Sequence, residues 1–122
     1  MMFRLCIPTR LFLNQRKLEP LADGPGSQSV SLIIGIDPGS RKTGFGIISQ
    51  VGSRQEYVTS GVIRLESFPT FPERLDNLYT CLMEVIGQWS PQEAAIEQVF
   101  MGRSASSALK LGQARGVAML AA

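Results

Sequence analysis

Cysteine is scarce in this chain, long apolar runs are missing, and the patterned part of the sequence has no excess of either charge. Only two cysteines occur in 122 residues, Cys6 and Cys81. They are far apart and lack metal-ligand spacing, so neither a disulfide framework nor a zinc site is expected, and they read as two unpaired thiols in a reducing cytoplasm. No apolar run approaches the ~18 residues that span a bilayer; the longest, Leu32 to Ile36 and Val117 to Ala122, reach about a third of that. The formal charge of +2 comes from residues 1–30, which hold Arg4, Arg10, Arg16 and Lys17 against Glu19 and Asp23. Residues 31–122 hold eight basic and eight acidic side chains. Net charge therefore gives no argument for a nucleic-acid partner, and any such claim must rest on local motifs.

A continuous secretory core is also missing, because arginines and a proline interrupt Met2 to Leu13 and no A-x-A site follows. Residues 1–30 show no periodicity continuing into the rest, and Leu21 to Ser31 has the Gly/Pro/Ser composition of a linker. They are expected to be a disordered extension, or sequence upstream of the true start, ahead of one domain over residues 31–122.

That domain opens with Leu32-Ile33-Ile34-Gly35-Ile36-Asp37, an apolar run closed by Pro38-Gly39, which predicts a buried central strand ending in a tight turn. Second and third strands are expected over Gly44 to Val51 and Gln55 to Leu65, joined by a hairpin at Val51-Gly52-Ser53-Arg54; short connections make the three antiparallel. Thr70, Pro72 and Glu73 form a helix start, with a Thr cap and Glu at the capping-box position. Leu75, Leu78, Leu82, Val85, Ile86 and Trp89 then recur at helical spacing and predict an amphipathic helix lying on the sheet. Ser90-Pro91 stops it. Ala94 to Glu97 suits a short strand that, after a crossover helix, runs parallel to its neighbour. A second helix is expected from Ser107 to Ala122, with Ala108, Gly112 and Gly116 forming a smooth stripe for close packing on the sheet or on another helix. The order β-β-β-α-β-α is the opening of a ribonuclease-H-like α/β fold, a mixed sheet of three antiparallel strands and one parallel strand, and the sequence ends before a further strand and helix.

Asp37 and Glu97 each end an apolar strand. On adjacent parallel strands they would face the same way, and two carboxylates so delivered can hold hard divalent cations through oxygen. Asp37 before Pro-Gly also suits a plain turn residue, and Glu97 a solvated strand end or a partner for Arg103. Ser40, Arg41, Lys42 and Thr43 form a polar turn able to meet a phosphate or simply solvent. Phe100 reads equally as a core anchor or as an aromatic for stacking on a nucleobase.

At these residues the chain resembles the RuvC family of bacterial Holliday junction resolvases. The likeness runs from about Leu32 to Ala122 through GIDPGSRKTGFGI, the Ser60-Gly61-Val62-Ile63-Arg64 strand, AIEQVF and the block from Ser107 to Val117. It implies a cytoplasmic, homodimeric, Mg²⁺-dependent endonuclease that nicks two symmetric strands of a four-way DNA junction during recombination and repair beside the RuvA–RuvB branch-migration complex.

 Two Mg²⁺ ions per complete site are implied, with Mn²⁺ as a substitute. By motif position Asp37 and Glu97 become catalytic and metal-binding carboxylates. Phe100 matches the family's base-stacking aromatic, and Ala108, Gly112 and Gly116 would lie at the dimer interface; Ser40, Arg41, Lys42 and Arg103 are expected as DNA contacts from their own polar and basic character. The family completes its site with two further acidic residues in a helix beyond position 122. With two carboxylates the 122-residue chain is expected to be inactive or nearly so; junction cleavage abolished by Asp37→Asn would overturn that. Two other readings compete. A non-catalytic junction-binding or dimerisation module has no need of both carboxylates, which repel phosphate when no metal is bound. An actin-like kinase or ATPase shares the Gly-x-Asp-x-Gly turn, with Ser40 and Thr43 on phosphate, but has no role for AIEQVF or ALKLGQARG.

Overall fold

The structure is a computed structural model that describes residues 28–98, 102 and 104–122. The expected extension falls almost wholly outside the described residues, as do Phe100 and Arg103. The elements are β1 (Ser31–Asp37), β2 (Lys42–Val51), β3 (Arg54–Arg64), α1 (Phe71–Trp89), β4 (Glu93–Ile96) and α2 (Ala105–Ala121). They form a four-stranded sheet in the order β3-β2-β1-β4, with β1–β2 and β2–β3 antiparallel and β1–β4 parallel.

Alternation along the strands gives the sheet two different faces. Ile34, Ile36, Phe45, Ile47, Val58, Ile63 and Leu65 point to one side, where they meet Leu78, Cys81 and Leu82 of α1 and Ala114, Ala118 and Ala121 of α2 in one buried core. Leu78 and Leu82 are fully buried, and truncating either to Ala costs about 2–5 kcal/mol. The opposite face carries Ile33, Gly35 and Asp37 of β1 beside Gly44, Gly46 and Ile48 of β2. A register shift between Ile47 and Ile48 interrupts β2–β3 pairing, and beyond it Tyr57 stands 54% exposed.

The connections follow local chemistry. Gly52 takes the left-handed conformation, at φ 59°, that the β2–β3 hairpin requires. At the start of α1, Thr70 accepts from the Glu73 amide while the Glu73 carboxylate accepts from the Thr70 amide at 2.9 Å, the expected capping box. The Thr70 hydroxyl, donating to the Glu73 carboxylate at 2.7 Å, and then the Thr70 amide hold the Glu73 carboxyl below its ordinary range. Ser90, in the left-handed region at φ 47°, donates its amide to the Ile86 carbonyl at 2.7 Å and ends the helix.

Three expectations need correction. Packing within the chain uses Ala114, Ala118 and Ala121, whereas Gly112 and Gly116 are exposed and a methyl at either would meet nothing within 4 Å. Spacing alone could not separate the two small-residue stripes, because both repeat at helical intervals. Ser104 caps α2, so the helix begins two residues before the expected Ser107. Cys81 is a core residue, 4% exposed, and is not a free thiol, against the reading of unpaired cysteines.

Candidate metal centre

Parallel pairing of β1 with β4 decides where the carboxylates go. Ile36 pairs with Ile96, and the Glu97 amide donates to the Ile36 carbonyl at 3.0 Å, so Asp37 and Glu97 leave neighbouring strands at the same level. Both are exposed. A hydrogen bond to Asp37 is the main cause that lifts the Glu97 carboxyl above its ordinary value, followed by the negative charge of Asp37 and some loss of hydration. The negative charge of one carboxylate beside the other makes ionising Glu97 less favourable, as for carboxyls in contact.

Asp37 is held from its C-terminal side by a stapled turn. The buried Thr43 hydroxyl accepts from the Gly39 amide at 3.1 Å and donates to the Gly39 carbonyl at 3.2 Å. A methyl at Gly39 would collide with the carbonyl oxygen of Lys42, so only glycine fits there. Thr43 is thus occupied within the turn and not offered to a ligand. Gly44 pairs with Asp37 and Gly46 with Gly35, so the strand beside the carboxylates raises no side-chain wall. The result is an open cavity of about 530 Å³ lined by Gly35, Asp37, Gly44, Gly46, Ala95 and Glu97, among others.

In the turn after Asp37 the expected phosphate contacts differ in exposure. Arg41 and Lys42 are exposed, while Ser40 is half-buried. Lys42 pairs in register with Arg64, and Arg41 and Arg64 each approach Glu66 at 3.4 Å. Arg64 joins this basic cluster although sequence reasoning gave it no site role; its place opposite Lys42 depends on the β2–β3 register. These exposed ion pairs contribute little to stability and leave the cations accessible. Arg115 was also missed: its Nε donates to the Glu97 carbonyl at 3.1 Å from 18 residues away.

The donor set suits a hard divalent cation: two adjacent carboxylates, one with a raised proton affinity, open to water that could fill the remaining positions. Among the described residues no group of three or more His, Cys, Asp or Glu side chains comes together, so Asp37 and Glu97 act as a pair.

Residues 33–122 match the family described as crossover junction endodeoxyribonuclease RuvC. Similar curated proteins bear that name. The one from Saccharophagus degradans is 54% identical over 93 residues, which cover 76% of this chain and 54% of the relative. The one from Histophilus somni is 56% identical over 93 residues, covering 76% and 49%. The chain spans about half the length of the curated relatives it matches. Among solved structures, Thermus thermophilus RuvC in complex with a Holliday junction substrate is similar with a TM-score of 0.67 and 26% identity, covering 75% of this chain and 57% of that one. The fold is the ribonuclease-H-like α/β class expected from the order of elements.

Proposed function

The chain belongs to the RuvC family, and from that membership we propose that its protein is a structure-selective endonuclease that resolves four-way DNA junctions by symmetric nicking. The observation that carries this reading is the contact between Asp37 and Glu97 at the ends of parallel strands, beside an open cavity. Asp37 and Glu97 would hold Mg²⁺, or Mn²⁺ in its place, and a second ion in a complete site. When bound, such ions supply positive charge that activates water and stabilises the leaving oxygen of a phosphodiester.

The chain's own residues do the rest. Arg41, Lys42 and Arg64 supply exposed positive charge at the turn after Asp37 and, opposite Lys42, on β3, where a DNA phosphate can be drawn and oriented. Ser40 lies in the same turn, Phe100 is carried as a DNA contact by the family motif alone, and Arg103 is expected as one from its charge near Glu97 in sequence. The glycines beside Asp37 leave room for a backbone to approach. Glu97 must give up its proton to hold a cation, so cation affinity rises with pH through its raised value.

A homodimer that places two such sites on one junction is the partner arrangement we favour, with RuvA–RuvB acting beside it. Exposure of Gly112 and Gly116 supports a role for the Ala108/Gly112/Gly116 stripe against a second copy. Nicking of a synthetic four-way junction, with duplex DNA and chelator as controls, tests the proposal. Mg²⁺-dependent, paired nicks lost in Asp37→Asn and Glu97→Gln support it; equal junction binding in chelator with no nicking under any metal would favour a non-catalytic binding module.

A further inference from the structure

Glu97 has an anchoring problem that Asp37 does not. It follows the last residue of a strand of four residues, and β4 is hydrogen-bonded on one side only among the described residues. A carboxylate in that position would swing with its backbone unless both adjoining peptide planes were fixed.

Both are. The Glu97 amide belongs to the peptide plane shared with Ile96, and it is held by the Ile36 carbonyl at 3.0 Å. The Glu97 carbonyl belongs to the next plane, and it accepts from Arg115 Nε at 3.1 Å. Because each peptide is planar, pinning one on either side of Glu97 fixes its two soft dihedrals and hence the direction of its Cα–Cβ bond. Arg115 is itself constrained. It is half-buried beside Ala114 in the packed stripe of α2, and a terminal nitrogen reaches Met119 Sδ at 3.2 Å, one helical turn on.

We propose that Arg115 is a positioning residue, whose guanidinium clamps the Glu97 carbonyl and so aims the Glu97 carboxylate at Asp37. The proposal rests on the reading of Asp37 and Glu97 as a cation site, but its structural core is separable from it. Outer partners that orient a ligand typically change metal affinity by about 10–100-fold when removed. Lysine can donate to the carbonyl but lacks the planar fork that also reaches Met119.

The test uses Arg115→Met and Arg115→Lys with two readouts: amide hydrogen exchange by NMR, and Mn²⁺ titration followed by the signal of the free ion. In Arg115→Met we expect the Glu97 amide to exchange about tenfold faster while those of Ile34 and Ile47 keep their protection, and Mn²⁺ affinity to fall about tenfold or more. Arg115→Lys should lie between. Unchanged protection at Glu97, or a uniform acceleration across the sheet, would overturn the proposal by making Arg115 idle or merely a packing residue. A Glu97→Gln control separates the two ideas. If the parent binds no Mn²⁺ that this substitution removes, yet Glu97 exchange still responds to Arg115→Met, positioning is upheld and the cation reading fails.

Discussion

Asp37 leaves a central strand hydrogen-bonded to β2 on one side and β4 on the other, whereas Glu97 leaves a four-residue strand paired only with β1 among the described residues. Asp37 is then fixed by a local turn, stapled by Thr43 only six residues away in sequence. Glu97 is fixed by Arg115, from a helix 18 residues further on. Thus one carboxylate is placed by short-range chemistry and the other by tertiary packing. The two ends should fail differently: damage at the Asp37 end costs stability as well as function, while damage at the Glu97 end costs function first.

The largest effect removes the difference altogether. In a protein that carries the complete site, Asp37→Asn and Glu97→Gln should each lower junction cleavage by on the order of 10³-fold, measured as initial nicking rates at saturating Mg²⁺, because losing either ligand forfeits several kcal/mol of charge stabilisation. Next comes Thr43→Val, which keeps the shape of a fully buried side chain but leaves the Gly39 amide without its partner. It should destabilise the fold by about 1–3 kcal/mol in urea unfolding, with an unchanged m-value. By contrast, Arg115→Met removes one hydrogen bond whose carbonyl partner lies at an exposed strand end, and should change global stability by about 0.5–1 kcal/mol in the same assay. A loss as large as that of Thr43→Val would erase the distinction between the two ends.

The smallest effect concerns pH. Glu97 binds its proton more tightly in the fold than at its ordinary value of 4.5, so its contribution to stability is full below that value and is lost as pH rises through the raised one. Without divalent metal, Glu97→Gln should therefore melt slightly higher than the parent at pH 7, and the gain should vanish at pH 4. A gain that persists at pH 4 would point to some cause other than repulsion by Asp37.

Legibility in the sequence follows the same division. The Asp37-Pro38-Gly39 turn, the Thr70–Glu73 capping box and the Leu75 to Trp89 stripe are set by contacts within a few residues, and each appears where the pattern put it. The pairing of Asp37 with Glu97 was also readable, because strand-helix-strand order makes β1 and β4 parallel neighbours. Arg64 and Arg115 were not readable as site residues. One depends on the register of β2 against β3, and the other on which face of α2 turns toward β4. The same uncertainty about α2 assigned chain packing to Gly112 and Gly116 when Ala114 and Ala118 carry it.

The central claim is that Asp37 and Glu97 together form a divalent-cation site. The most direct measurement is thermal unfolding of the parent, Asp37→Asn and Glu97→Gln at pH 7, with and without millimolar Mn²⁺. The account predicts that Mn²⁺ raises the Tm of the parent and that the rise is lost in both variants, since a ligand held only by the folded state stabilises it. An equal rise in all three proteins would place the cation elsewhere and contradict the account.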